Sequence, residues 1–161
     1  MGYRAFAQAI AQELDCSLCF SHEFACDSDV KVQAFLTTMF STILKHLFMD
    51  AAEAACEEKE ARDVMQGGAN MAVSSVDDLV AGFPCQDVSR LLSNSAALNY
   101  NVICEGTKRT GGVFRSILSY LRAHPELESL ITENVLGLSR CSRGRHTSNL
   151  DHAIHAWEIA G

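Results

Sequence analysis

Apolar residues recur three and four positions apart in several segments of the chain, a spacing that places them on one face of a helix. Residues 3–14, 30–44, 113–124 and 150–160 show this spacing. Pro125 ends the helix at 113–124, and Ser148 with Asn149 supplies a cap for the last helix. Residues 51–65 carry more charge and are predicted as a further helix, so the sequence predicts five helices.

Shorter apolar runs predict the strands. They occupy residues 17–25, 46–49, 76–83 and 127–135. Polar residues and glycines predict loops at residues 66–75, 89–112 and 139–147. The loop at 89–112 is unusually long for a compact domain, and active-site lids are one reason for such length.

The alternation of strands with helices indicates the fold class. It predicts βαβ units and a parallel sheet covered on both faces, in one α/β domain over residues 1–161. Hydrophobic residues make up 48% of the chain and charged residues 20%, which is typical of a globular protein.

A net charge of −7 argues against a protein that wraps nucleic acid by bulk electrostatics, because phosphate neutralisation needs clustered lysine and arginine. The basic residues cluster at Arg140, Arg143 and Arg145, with Lys108 and Arg109 as a smaller pair. Any contact with nucleic acid is therefore expected to be local. Solvated loop charge is the alternative interpretation of both clusters.

Seven cysteines, an odd number without a regular framework, favour a reducing compartment. No apolar run approaches the roughly 20 residues of a membrane span, and no signal pattern opens the chain. We predict an intracellular protein, in the nucleus of a eukaryote or otherwise in the cytoplasm. Cys16 and Cys19 have the spacing of metal ligands, but a matching second pair is missing from the sequence, so no metal site is predicted.

Chemically reactive groups follow the predicted strands. Asp27, Asp50, Cys85 and Glu133 lie at or just after strand ends, where ligands gather in parallel α/β sheets. Pro84 fixes a turn that carries the Cys85 thiol, a candidate nucleophile. Glu133 ends an apolar strand, where a buried carboxylate must be paired or protonated. The plainer alternatives are a buried structural cysteine, a surface carboxylate at 133 and helix capping by Asp27 and Asp29.

Two motifs give these residues a family context. Gly-Phe-Pro-Cys-Gln at 82–86 and Glu-Asn-Val at 133–135 resemble the two core motifs of the cytosine-5 DNA methyltransferases. Residues 22–33, 111–125 and 147–151 are similar to further segments of that family. The resemblance implies a Rossmann-like fold that binds S-adenosylmethionine through Asp27, Asp50 and Pro84, with Cys85 as the nucleophile and Glu133 as the acid.

The same resemblance implies the partner. The substrate is duplex DNA with a cytosine flipped out of the stack, because its C5 and C6 are otherwise inaccessible. The family's first motif would precede Tyr3 and its later motifs would follow Gly161, so an incomplete domain that needs the missing segments or a complementary chain is expected. Two alternatives stay open: an RNA (tRNA) cytosine-5 methyltransferase, and an inactive interaction or regulatory module with the same fold.

Overall fold

A computed structural model describes residues 21–55, 60–89, 102–106, 108–141 and 146–160. The predicted helix at 3–14, the first residues of the predicted strand at 17–25, and Cys16 and Cys19 lie outside these ranges.

The first described unit is a βαβ unit. It consists of β1 (His22–Cys26), α1 (Val30–Phe40) and β2 (Leu44–Phe48), and the two strands are parallel. Asp29 begins α1 by accepting a hydrogen bond from the backbone N–H of Lys31 at 2.8 Å, as its capping interpretation predicted. The predicted helix at 30–44 is therefore confirmed, but it ends four residues early because buried Leu44 already belongs to β2.

The predicted helix at 51–65 is confirmed for its first turn and wrong from residue 60 onward, and its residues 56–59 lie outside the described ranges. This segment and the predicted loop after it contain α2 (Ala51–Ala54), β3 (Glu60–Asp63), a 3₁₀ turn (Val64–Gln66) and β4 (Ala69–Ala72). Ala61 and Asp63 are buried while Glu60 and Arg62 are exposed, so burial in β3 follows a period of two residues. Gly67, with a φ of 66°, turns the chain into β4, which pairs with β3 in an antiparallel hairpin.

A second βαβ unit follows. It consists of β5 (Asp78–Gly82), α3 (Val102–Glu105), α4 (Lys108–Ala123) and β6 (Ser129–Glu133). The strands predicted at 76–83 and 127–135 are confirmed, and they pair in parallel. The loop predicted at 89–112 is wrong for the described residues from 102 onward, because Val102 and Ile103 are buried in α3 and α4 begins five residues before position 113. Residues 90–101 lie outside the described chain.

The last helix, α5 (Asn149–Ala160), confirms the prediction at 150–160. Its first turn is capped reciprocally: the backbone N–H of Asp151 donates to the Ser148 hydroxyl at 3.1 Å. The Asp151 carboxylate in turn accepts from the Ser148 backbone N–H at 2.6 Å. Asn149 joins this helix to α3, because its side-chain oxygen accepts from the Ile103 backbone N–H at 3.1 Å.

The strands divide between two sheets. One has the order β1-β2-β3-β4 and the other pairs β5 with β6. The mixed α/β class and both parallel βαβ units agree with the sequence, but the single parallel sheet predicted from it is wrong for the described strands. The hairpin runs antiparallel, and hydrogen bonds connect no strand of one sheet to a strand of the other.

Two apolar clusters support these sheets. The larger contains Phe83, Val88, Phe114 and residues of α3 and α5. The smaller is built around Phe48 and includes Leu79 of β5 and Tyr120 of α4, so the second unit also packs against the first sheet. The ring centroids of Tyr120 and Phe24 of β1 lie 5.7 Å apart. None of the helices in the described ranges is long and apolar enough to cross a lipid bilayer.

Candidate functional site

The Cys85 thiol lies on a tight turn just after β5. Phe83 anchors the turn, since it is buried and its ring centroid lies 5.5 Å from that of Phe114. The Cys85 carbonyl oxygen accepts hydrogen bonds from the backbone N–H groups of Val88 at 3.0 Å and Ser89 at 2.8 Å. Cys85 itself is half-buried, so a rigid backbone presents a thiol that retains access to solvent.

Glu133 is the last residue of β6 and lies beside the end of β5. Its Cα is paired in register with Gly82, three residues before Cys85. A Cβ at Gly82 would lie 4.0 Å from the Glu133 Oε2 atom, so the carboxylate extends over the end of the neighbouring strand. The burial that the sequence suggested for Glu133 is not found: its side chain is exposed because β6 ends at the molecular surface. Glu133 is therefore related to Cys85 by the neighbouring ends of β6 and β5, and not by burial of its carboxylate.

Two residues that the sequence left without a role hold the two strand ends together. The Asn134 side-chain amide donates to the Phe83 carbonyl oxygen at 2.9 Å. Gly137 packs so closely on the Val88 carbonyl oxygen that a Cβ there would lie 1.9 Å from it. The amide directly after Glu133 was a visible signal for the first contact, whereas nothing local in the sequence indicated the second.

Asp27 and Asp50 lie together at the carboxyl ends of β1 and β2. The backbone N–H of Asp27 donates to the Phe48 carbonyl oxygen at 3.2 Å, which joins the two strand ends. Each carboxylate uses its Oδ1 atom locally: Asp27 accepts from the Asp29 N–H at 2.8 Å, and Asp50 caps α2 by accepting from the Ala52 N–H at 2.6 Å. The capping alternative is thus correct for Asp29 and not for Asp27, which accepts from the residue before α1. The Oδ2 atoms of Asp27 and Asp50 have no hydrogen-bond partner among the described residues.

The charge of this pair acts on the thiol between them. Burial and the negative charges of Asp50 and Asp27 raise the pKa of Cys26 to about 12. A thiol with so high a pKa stays protonated at neutral pH and is a poor nucleophile. Burial is the largest cause of the raised pKa of Cys26, and the negative charges of Asp50, Asp27 and Glu53 add to it.

The predicted site residues thus form two pairs on two sheets. Cys85 and Glu133 follow β5 and β6, with half-buried Pro84 next to the thiol. Asp27 and Asp50 follow β1 and β2. The expectation that all four follow strand ends is confirmed, but the described strands do not place them along one continuous sheet.

The remaining predictions concern metals and basic residues. Among the described residues, no group of three or more histidine, cysteine, aspartate or glutamate side chains could hold a metal ion. Arg143 and Arg145 lie outside the described ranges, so the structure does not bear on the basic cluster that contains them. Arg109 is exposed on α4.

Comparison with known proteins assigns no family: no protein-family model matches the sequence, and no curated protein matches it. Function must therefore be inferred from the residues and their geometry. A half-buried thiol and an exposed carboxylate at the ends of neighbouring strands suit nucleophilic chemistry assisted by an acid, and a pair of carboxylates suits hydroxyl or amino donors of a ligand.

Proposed function

We propose that this chain carries the nucleophile and the acid of a cytosine-5 DNA methyltransferase that uses S-adenosylmethionine. The pairing of the two strand ends is the observation that carries the proposal. β5 leads into the Pro-Cys turn, β6 ends in Glu133, and Gly82 is in register with Glu133. The two motifs that resemble the family are adjacent in space, although they lie 47 residues or more apart in sequence.

Cys85 acts first in the proposed reaction. Its thiolate forms a bond to C6 of a cytosine flipped out of the duplex, and the electron pair of the C5–C6 double bond moves toward C5 and the ring. Glu133 donates a proton or hydrogen bond to N3, which stabilises the charge that develops there. After C5 has been methylated, it loses its proton to a base, and the Cys85 thiolate departs to restore the aromatic ring.

Asp27 and Asp50 are proposed to hold the cofactor. S-adenosylmethionine supplies the electrophilic methyl group when it is bound. Its ribose hydroxyls and adenine amine are donors, and the Oδ2 atoms of the two aspartates, which bond to none of the described residues, are suitable acceptors. The chemistry of these donors and acceptors fits, and Pro84 adds an apolar contact beside the reacting thiol.

Transfer of a labelled methyl group to nucleic acid tests the proposal. We expect the chain to label duplex DNA, alone or together with a complementary chain, and we expect Cys85→Ser to abolish the labelling because a hydroxyl is a far weaker nucleophile. Glu133→Gln should lower the rate strongly, by about 100-fold or more for a lost general acid. Cys104→Ser is the matched control, since Cys104 is exposed on α3, and it should leave the rate unchanged.

The other outcomes distinguish the alternatives. Preferential labelling of tRNA would assign an RNA substrate to the same chemistry. Stoichiometric binding of S-adenosylmethionine that Asp27→Ala weakens would support the cofactor site even where transfer is slow. If the folded chain shows neither binding nor transfer, the result would contradict enzymatic activity of this chain by itself and favour an interaction module or an incomplete fragment.

A further inference from the structure

A cleft of about 410 Å³ lies between α3, α4 and α5. Its volume falls in the range of small-molecule sites in proteins. The cleft is separate from the strand ends that carry Cys85 and Asp27, because the three helices alone supply its lining. The methyltransferase proposal assigns no role to it.

One wall of the cleft is cationic. Arg115 and Arg122 are seven residues apart on α4, about 10 Å along the helix axis, with Ser119 between them on the same face. His152 of α5 also lines the cleft, and the lining contains no carboxylate. Within the described ranges no ion pair neutralises either arginine. The net charge of the chain is −7, so this wall is a positively charged region on a negatively charged protein.

Of the two arginines, only Arg115 forms a hydrogen bond with the described residues. The Arg115 Nη2 atom donates to the Glu105 carbonyl oxygen at the end of α3 at 2.7 Å, which positions the guanidinium and leaves its other N–H groups available. Arg122 is exposed and makes no hydrogen bond with the described residues. Guanidinium groups offer paired donors whose geometry matches phosphate or carboxylate oxygens.

The base of the cleft is apolar. Phe114 and Leu118 line it and are 1% and 7% exposed. The Phe114 ring centroid lies 5.6 Å from that of Trp157, the only tryptophan of the sequence. The Trp157 indole N–H is buried and has no hydrogen-bond partner among the described residues. Buried and half-buried aromatic side chains thus support the base of the cleft beneath a wall of positive charge.

From this combination we infer that the cleft binds a small organic phosphate. The organic part of the ligand contacts half-buried Ala156 and the exposed edge of Leu118, while the phosphate accepts hydrogen bonds from Arg115 and Arg122. A dianionic phosphate matches two guanidinium groups better than a single carboxylate does, because it carries more charge and one more acceptor oxygen. The phosphate of such a ligand faces the cationic wall, and its organic part faces the apolar base of the cleft.

Phenyl phosphate is the simplest probe with both halves, and selectively excited Trp157 fluorescence is the readout. We expect saturable binding of one molecule per chain. Phenol, which lacks the phosphate, and inorganic phosphate, which lacks the ring, should each bind at least about tenfold more weakly. Phenol loses the contacts with the cationic wall, and inorganic phosphate loses those with the apolar base. Equal affinity for phenol and phenyl phosphate would overturn the role of the arginines.

Two arginines of α4 make a matched pair of variants. Arg122→Gln should weaken binding of phenyl phosphate about tenfold or more through loss of a charge-assisted contact. Arg109→Gln removes the same charge from the same helix at a position that does not line the cleft, and it should have no effect. Equal affinities of both variants and the unaltered chain would overturn the proposal.

Cys104 provides a measurement that needs no variant at all. Its exposed thiol lines the cleft. Saturating phenyl phosphate should slow its alkylation in the unaltered chain several-fold and leave alkylation of exposed Cys141 unchanged. Equal rates with and without phenyl phosphate would count against binding in this cleft, even if Arg122→Gln fails to fold.

Discussion

Gly137 shows how a single residue fixes the candidate site. A Cβ at this position would lie 1.9 Å from the Val88 carbonyl oxygen, so Gly137→Ala must push the segment after β6 away from the Cys85 turn. We expect the variant to lose about 1–3 kcal/mol of unfolding free energy, the usual cost of overpacking, as measured by urea denaturation.

Gly82→Ala is the control, because the added Cβ makes only an ordinary contact of 4.0 Å with Glu133. It should change the unfolding free energy by less than about 1 kcal/mol. Equal losses in the two variants would mean that the close contact at Gly137 does not hold the strand ends together.

Cys26 provides a second prediction at the scale of the residue. Burial and the charges of Asp50 and Asp27 raise its pKa to about 12, so at about pH 8 only about one Cys26 thiol in ten thousand is ionised. We expect iodoacetamide to alkylate Cys26 at least about 100-fold more slowly than exposed Cys104, because the thiolate is the reactive form. Peptide mass mapping over time measures both rates, and similar rates would contradict the charged environment of Cys26.

The sequence predicts individual residues well where the signal is local. Asp29 caps α1 through a bond to a backbone group two residues away, and Cys85 and Glu133 follow strands that their neighbours define. Asn134 and Gly137 depend on partners about 50 residues away in the chain. The amide after Glu133 is visible in the sequence but its partner is not, and no local signal indicates the Gly137 contact. The exposure of Glu133 depends likewise on where its strand ends at the surface.

At the scale of the element, adjacent glycines in α4 are expected to behave in opposite ways. A Cβ at Gly111 would lie 2.2 Å from the Val102 carbonyl oxygen of α3, whereas one at Gly112 has open space. Gly111→Ala should destabilise the fold by about 1–3 kcal/mol through overpacking. Gly112→Ala should stabilise it by up to about 1 kcal/mol, because alanine favours the helix.

Thermal unfolding followed by circular dichroism measures both variants on the same helix. Opposite shifts of the melting temperature would confirm that α3 packs directly on the start of α4. Stabilisation by Gly111→Ala would contradict that packing, since alanine at 111 would then gain helix propensity without a clash.

The secondary structure predicted from periodicity succeeds for long elements and fails for the hairpin. Helices α1, α4 and α5 present enough turns to establish a helical pattern, and β5 and β6 are continuous apolar runs. Residues 60–63 alternate between exposed and buried positions over only four residues, and the surrounding charges resemble a solvated helix. The pairing of β3 with β4 stabilises both strands, but it cannot be predicted from the residue pattern of either segment alone.

At the scale of the whole molecule, the arrangement of the two βαβ units could not be predicted. Sequence patterns indicate each parallel pair, but they do not state which strands lie side by side when the units meet. The Phe48 cluster joins the units through Leu79 and Tyr120 rather than through hydrogen bonds between strands. The placement of the Asp27–Asp50 pair relative to the Cys85–Glu133 pair therefore depends on side-chain packing.

The central claim is that Cys85 forms a covalent bond with a target cytosine. Duplex DNA that contains 5-fluorocytosine tests it directly, because fluorine at C5 cannot leave as a proton does and the adduct persists. We predict that the full chain with S-adenosylmethionine forms a complex that survives denaturation, with the added mass on the peptide that contains Cys85. Cys104→Ser should retain the complex and Cys85→Ser should lose it, whereas an adduct that survives Cys85→Ser, or no adduct with the folded chain, would contradict the claim.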